Sequence, residues 1–148
     1  MAKQKQLQNA TSEHAIVHSP SVLQKTKEIW FADGETYAKS GQYEQALAAF
    51  KCVLLLDPNN ADAYVNKGTM LYYLRDYQEA LIDFEQALRL QPQCGPAFYG
   101  KGCIFYQMGL RKKAFAAFEQ AVYSDPTIAL FHVNKGFLLW TFRQYSDA

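Results

Sequence analysis

The sequence of 148 residues lacks the features on which several classes of protein depend. Its three cysteines are odd in number and show no paired metal-ligand spacing, so neither a disulfide framework nor a zinc site is indicated. No apolar run approaches the ~20 residues needed to span a bilayer, and the first residues lack the apolar segment of a signal peptide. The net charge of +1 provides no field that would attract nucleic acid or an anionic membrane surface. We therefore expect a cytoplasmic protein with free thiols and without nucleic-acid or membrane partners.

Converging catalytic groups are also missing from the sequence. Asp57 and Asp125 each directly precede a proline, where carboxylates usually end helices and accept hydrogen bonds in turns. His14 and His18 are four residues apart, but no third ligand lies near them, so they do not indicate a metal site. No glycine-rich loop is placed to hold a phosphate. We expect a protein that is not an enzyme and that uses no cofactor or metal.

What the sequence does contain is a period of 34 residues. A glycine recurs at this interval, an alanine follows it by twelve residues, and a phenylalanine and a proline come later in the unit. The recurring residues are Gly34, Gly68, Gly102 and Gly136; Ala46, Ala80, Ala114 and Ala148; Phe50, Phe84 and Phe118; and Pro58, Pro92 and Pro126. Two small residues allow antiparallel helices to cross closely, with aromatic rings on either side. The period therefore predicts helix–turn–helix units that stack on their neighbours.

These residues resemble the tetratricopeptide repeat, whose consensus places an aromatic residue, Gly, Tyr, Ala, Phe, Ala and Pro at set offsets. The resemblance implies an all-α fold, a right-handed α-solenoid of antiparallel helix hairpins. In register with the family, the domain spans residues 21–148 and follows a flexible leader at 1–20. Its units are three full repeats at 27–60, 61–94 and 95–128, and an incomplete fourth at 129–148.

Some positions depart from the family pattern. His132 takes the place that Trp30, Tyr64 and Phe98 hold in the other units, so we expect a packed ring rather than a general base. Three lysines directly precede the recurrent glycine, where the consensus usually has Leu: Lys67, Lys101 and Lys135. Such side chains could form a basic stripe, but we expect their stems to cover packed neighbours and their ammonium groups to stay in water.

The helix boundaries follow from caps and breakers. Ser21 is a plausible N-cap, so the first helix is expected to run from there to Lys39. The further helices are predicted from Tyr43 to before Asp57 and over 61–74, 77–90, 96–108, 111–123 and 128–142, with residues 145–148 beginning another. A hairpin cannot bury its apolar face alone. We therefore interpret the chain as part of a longer protein, with capping by self-association as the alternative.

In the family's architecture the first helix of each unit lines a concave groove. The candidate groove residues are Asn66, Thr69, Tyr72, Tyr73, Tyr99, Cys103, Tyr106, Asn134, Phe137 and Trp140. This set is aromatic and nearly neutral, a composition typical of recognition surfaces. Asn66 and Asn134 could bind the backbone amides of an extended peptide, although Ala32 and Gly100 leave alternate positions without an asparagine.

The composition of the groove favours a protein-interaction scaffold that binds a peptide segment of a partner. Relatives that clamp a peptide's terminal carboxylates use Lys, Asn and Arg at particular offsets. Here only Asn66 fits, whereas Phe31, Glu35, Pro96 and Gly100 do not, so such a clamp is disfavoured. The alternatives are a regulatory or oligomerisation segment of a larger protein such as an enzyme, self-association through the last helix, and a leader that occupies the groove itself.

Overall fold

The computed structural model describes residues 25–146, and within them the chain forms seven α-helices and no strand. The helices are α1 (Lys27–Lys39), α2 (Tyr43–Leu56), α3 (Ala61–Tyr73), α4 (Tyr77–Leu90), α5 (Gly95–Gln107), α6 (Arg111–Ser124) and α7 (Ala129–Ser146). Successive helices pack as antiparallel hairpins, and α3 also contacts α5. The predicted all-α solenoid is thereby confirmed, while the predicted leader at 1–20 lies outside the described residues.

The turns inside the hairpins repeat with the same period as the helices. Gly41 and Gly109 have positive φ angles of 73° and 75°, values that glycine adopts without steric penalty. Arg75 stands at the equivalent position of the second repeat and has a φ of 64°. The turn geometry is therefore imposed on a residue that does not favour it.

The recurrent glycines lie directly under phenylalanine rings. A Cβ added to Gly34 would come within 2.8 Å of the Phe50 ring, and one added to Gly102 within 2.5 Å of the Phe118 ring. Gly68 has the same relation to Phe84, at 3.1 Å. The rings fit because the Cβ is missing, and the paired Ala46, Ala80 and Ala114 are fully buried. The predicted helix crossing is confirmed in three repeats.

The fourth repeat differs. Nothing lies within 4 Å of a Cβ added to Gly136, and its expected partner Ala148 is outside the described residues. The predicted break after Phe142 is wrong, because α7 continues as one helix to Ser146. Arg143, the equivalent of Arg75, stays in helical backbone, so the left-handed turn at Arg75 is not repeated there.

The first helix also begins later than predicted. Lys25 and Thr26 are not helical, and α1 starts at Lys27 rather than Ser21. The cap is Thr26, whose Oγ1 accepts a hydrogen bond from the backbone N–H of Ile29 at 3.5 Å. Two cap-competent residues lie close together in the sequence, and the helix starts at the one that keeps the 34-residue register with Ala61 and Gly95.

The three lysines before the recurrent glycines form ion pairs, and the predicted hydration of their ammonium groups is wrong only at Lys67, whose partner Asp83 is buried. Lys67 Nζ lies 2.8 Å from Asp83 Oδ1, Lys101 Nζ 3.4 Å from Glu85 Oε1, and Lys135 Nζ 3.0 Å from Glu119 Oε1. Each acid is on a second helix that packs beside the lysine. No basic stripe results, because every one of these charges is compensated.

Asp57, Asp125 and His132 have structural partners. Asp57 Oδ2 accepts from Lys27 Nζ at 2.7 Å, and Asp125 Oδ1 accepts from the backbone N–H of Thr127 at 3.0 Å, which confirms a turn role. His132 is exposed, and its Nε2 lies 2.9 Å from the carbonyl oxygen of Pro126. The predicted packed ring is therefore wrong at His132, because the polar ring bonds to the preceding turn.

Candidate functional site

The helices α3, α5 and α7 together enclose a cavity of about 250 Å³. Its lining is Tyr72, Tyr99, Cys103, Tyr106, Gln107, Phe118, Asn134, Phe137 and Leu138. Six of the ten predicted groove residues are in this set, although they come from three different repeats. Phe118 and Leu138 belong to the buried core and form the floor of this anchor cavity.

Hydrogen bonds fix the polar side of the anchor cavity. Asn134 Nδ2 donates to Tyr99 Oη at 3.0 Å and to the carbonyl oxygen of Leu130 at 3.1 Å. Both donors of this amide are therefore used within the protein, and its carbonyl oxygen is the atom that can accept from a ligand. The Tyr99 ring stacks on Phe131 with centroids 5.2 Å apart. Burial raises the pKa of Tyr99, so its hydroxyl stays neutral at physiological pH.

Cys103 contributes the one thiol in the lining of the anchor cavity. It is half-buried, whereas Cys52 and Cys94 are buried, and all three are free thiols. Burial raises the pKa of Cys103, although a hydrogen bond with Tyr99 opposes this shift. The thiol is thus protonated at neutral pH and acts as a small apolar surface rather than as a nucleophile.

A row of exposed aromatic rings continues from the anchor cavity along α7. Tyr106 and Phe137 meet edge to face with centroids 6.1 Å apart, and Phe137 and Trp140 stack at 6.3 Å. Trp140 is 59% exposed and Phe137 is 46% exposed. Large apolar rings that stay in contact with water provide surface that a partner can bury.

A second cavity of about 210 Å³ adjoins the first. It is lined by Tyr72, Tyr73, Arg75, Tyr77 and Gln107. A hydrogen bond from Gln107 Nε2 to Tyr72 Oη, at 3.4 Å, separates the two cavities. Arg75 is not at a groove offset of the family, and Gln107 is at one but was not among the candidate residues, which were chosen mainly for their aromatic rings.

A third cavity of about 340 Å³ lies between α1 and α3. Its lining is Lys27, Glu28, Phe31, Ala32, Glu35, Asn60 and Asp62. Lys27 is already bonded to Asp57, so the charge that faces this acidic cavity comes from three carboxylates. The groove is therefore not uniformly neutral, because its α1 end is negative.

The predicted asparagine series is interrupted for a steric reason. A Cβ at Gly100 would come within 2.3 Å of the Phe84 ring, so no asparagine fits between Asn66 and Asn134. Asn66, Thr69 and Trp140 line none of the three cavities described above, and the hydroxyl of Thr69 donates to the carbonyl oxygen of Val65 at 2.8 Å.

Comparison with known proteins agrees with this geometry. Two sequence models of the tetratricopeptide repeat match the chain, one over residues 34–97 and the other over residues 67–129. The chain belongs to the tetratricopeptide repeat family. Repeats of this family typically serve as modules for protein interaction. No curated protein matches the chain by sequence.

Solved tetratricopeptide repeat domains share the fold at low sequence identity. The first such domain of Spaghetti (RPAP3), solved with the HSP90 peptide SRMEEVD, is 17% identical with a TM-score of 0.72, over 79% of this chain and 93% of that one. The Arabidopsis OM64 domain is 22% identical with a TM-score of 0.71, over 76% and 93%. MamA is 22% identical with a TM-score of 0.70, over 85% and 72%.

Two features are absent from the residues that the structure describes. None of the helices between residues 25 and 146 is long and apolar enough to cross a membrane. No group of three or more His, Cys, Asp or Glu side chains in that range could hold a metal ion. The cytoplasmic location and the lack of catalysis stay predictions.

Proposed function

We propose that this chain is a protein-interaction scaffold whose groove binds an extended peptide segment of a partner. The observation that carries the proposal is the anchor cavity, in which Tyr72, Tyr99, Tyr106 and Phe137 from three repeats surround one space. Tyrosine and tryptophan rings bury large areas with little loss of side-chain entropy, which makes them effective recognition residues. A cavity of this size accepts a side chain rather than a whole small molecule.

The solved Spaghetti domain with its bound peptide supports a peptide as the ligand of this chain, but it does not support an acidic one. The HSP90 peptide held by the Spaghetti domain has the sequence SRMEEVD and is acidic. In this chain Glu28, Glu35 and Asp62 face the α1 end of the groove, and like charges there oppose an acidic segment. The partner segment of this protein is therefore not an acidic chaperone tail.

A peptide display library tests the proposal without a known partner. Peptides selected on the folded domain are expected to lose at least about tenfold in affinity for a variant that combines Tyr72→Ala with Tyr106→Ala, because two aromatic contacts are removed. The matched control is Tyr123→Ala on α6, since this tyrosine is 76% exposed and lies in none of the three cavities. Its affinity for the same peptides should equal that of the wild type.

The proposed function is contradicted if no selected peptide depends on Tyr72 and Tyr106 while the helical circular dichroism of the variant is preserved. Binding of SRMEEVD as tight as that of the selected peptides would leave the scaffold function intact and would contradict the exclusion of an acidic segment.

Self-association through α7 is a second candidate, and one observation favours it. Gly34, Gly68 and Gly102 are each covered by a phenylalanine ring, whereas Gly136 has nothing within 4 Å. Leu130, Val133 and Leu139 on the same helix are between 50% and 64% exposed. A concentration series in analytical ultracentrifugation distinguishes this role, because a protein that stays monomeric at high concentration does not associate through α7.

A further inference from the structure

We propose that the partner segment carries one large apolar side chain for the anchor cavity and one basic residue for the acidic cavity. This inference rests on the proposed function and assigns the chemistry of its ligand. The two cavities lie on the same groove but differ in character. One is enclosed by aromatic rings and a protonated thiol, and the other is faced by Glu28, Glu35 and Asp62.

The anchor cavity selects against charge. Its lining has no Asp, Glu, Lys or Arg, and its volume of about 250 Å³ is suited to a Phe, Leu or Met side chain. Asn134 already uses both amide donors inside the protein, so a carboxylate placed there would gain no donor from that residue. The hydrogen bond between Gln107 and Tyr72 closes the side toward the second cavity.

The acidic cavity supplies the charge complementarity. Phe31 gives it an apolar wall on which the stem of Lys or Arg can lie, while the carboxylates of Glu28, Glu35 and Asp62 can receive the charged group. Lys27 is the one cation in the lining, and its ammonium lies 2.7 Å from Asp57 Oδ2, so Asp57 already satisfies that charge.

The separation of the cavities fixes the spacing in the ligand. The acidic cavity lies between α1 and α3, and the anchor cavity is centred on α5, so about one and a half helix spacings of ~10 Å separate them. An extended segment covers ~3.3 Å per residue, so the basic and apolar residues are expected about five positions apart.

Synthetic peptides test the proposal directly. The probes are labelled ten-residue peptides of Gln, Ser and Gly with one phenylalanine and one arginine about five positions apart, in both orders. Replacing the arginine by glutamate or the phenylalanine by serine is expected to weaken binding about fivefold or more. Failure of every such peptide to bind, or equal binding by the glutamate peptide, would overturn the proposal.

Reversing the charge of Glu35 tests whether the basic residue of the peptide binds in the acidic cavity. Glu35→Lys is expected to weaken the arginine peptide and to strengthen the glutamate peptide, which a merely structural effect would not do. The control is the same change at Glu44, an exposed residue of α2 that lies in none of the three cavities. If Glu44→Lys changed the preference between the arginine and glutamate peptides as much as Glu35→Lys does, the acidic cavity would not be the site that binds the basic residue.

Alkylation of Cys103 tests whether the apolar residue of the peptide binds in the anchor cavity, because Cys103 is the thiol in the lining of that cavity. Iodoacetamide at mildly alkaline pH should modify it ahead of the buried Cys52 and Cys94, as followed by peptide mass spectrometry. The phenylalanine peptide is expected to slow this reaction, whereas the serine peptide is not. Equal rates with both peptides would overturn the assignment of the anchor cavity.

The display experiment separates the two proposals. Selected peptides that depend on Tyr72 and Tyr106 but lack the apolar and basic pair would leave the scaffold function intact and refute this inference. Selected peptides that are indifferent to those tyrosines would refute the function itself.

Discussion

The ring of Phe84 lies so close to Gly100 of the next repeat that a Cβ at Gly100 would come within 2.3 Å of Phe84 Cζ. The same ring covers Gly68 of its own repeat, where a Cβ would approach within 3.1 Å. One side chain of α4 therefore fills the space between the first helices of two successive repeats. This contact, rather than the groove, determines the residue at position 100.

Gly100→Ala is expected to lower the free energy of unfolding by about 1–3 kcal/mol, because the added methyl group overpacks the Phe84 ring. Gly136→Ala is the matched control and is expected to raise it by up to about 1 kcal/mol, since the helix gains a better helix former in open space. Urea denaturation followed by circular dichroism measures both. Equal effects at the two positions would contradict this account.

Arg75→Gly is expected to stabilise the protein modestly. Relief of the left-handed backbone, worth about 1–2 kcal/mol, exceeds the entropy that glycine adds to the unfolded chain. The reverse change, Gly109→Arg, should destabilise the equivalent turn of the third repeat. A lower midpoint of thermal unfolding for Arg75→Gly would contradict this expectation. It would show that the Arg75 side chain stabilises the folded state by more than its left-handed backbone destabilises it.

Because the carboxylate of Asp83 is buried, its contribution to the free energy of unfolding is expected to decrease as pH rises. Burial raises its pKa above the ordinary value of 3.8, although Lys67 opposes the shift. Between that value and the raised pKa, the folded state binds more protons than the unfolded state. The contribution of Asp83 to stability is therefore lost as pH rises through this window.

The comparison that isolates this effect is wild type against Asp83→Asn. The advantage of the wild type in the free energy of unfolding should decrease from pH ~4 to pH ~7, because Asn mimics the protonated acid. The opposite slope would mean that Lys67, at 2.8 Å, dominates over burial.

Replacing the whole Lys67–Asp83 pair by apolar residues should be far less harmful than removing one partner. Asp83 is 3% exposed and its Oδ2 is buried without a hydrogen-bond partner, so the pair is incompletely satisfied. Lys67→Met combined with Asp83→Leu is expected to be neutral or stabilising by about 1–4 kcal/mol, whereas Lys67→Met alone should destabilise. A double-mutant cycle by urea denaturation measures the difference, and additive losses would contradict the expectation.

The two tryptophans should respond differently to acrylamide. Trp140 is 59% exposed, whereas Trp30 is half-buried beneath the ammonium group of Lys25 at 4.5 Å. Fluorescence of the Trp30→Phe variant, which retains Trp140, is therefore expected to be quenched more steeply than that of Trp140→Phe. A bound groove peptide should protect Trp140 and leave Trp30 unchanged. Similar quenching of both variants would contradict the exposure of α7.

The fold could be read from the sequence because each repeat depends on contacts that are local and recurrent. The glycine-to-phenylalanine relation joins residues sixteen positions apart, as between Gly34 and Phe50, so its spacing is visible in the chain. The helix starts at Tyr43, Tyr77 and Arg111 follow from the same register. The errors in helix bounds occurred at the start of α1, where Ser21 and Thr26 are both able to cap a helix, and at the end of α7, where the helix continues through the position equivalent to Arg75.

The candidate site could be read only in part. Choosing aromatic residues at groove offsets found Tyr72, Tyr99, Tyr106 and Phe137, because ring size and helix face are properties of single positions. It missed the hydrogen bond from Gln107 to Tyr72, which joins two repeats. Likewise, the lysine pairs and the acidic cavity arise from side chains on different helices, so no single segment shows them.

The sequence alone determined the repeat and the hairpins, because these follow from periodicity within one segment, and the family resemblance implied which face of each first helix points into the groove. Only the tertiary structure decided which rings meet around the anchor cavity, that Phe84 occupies the space at Gly100, and that the charge of the groove lies at its α1 end. Those features depend on distances between helices, which the packing of all their side chains fixes together.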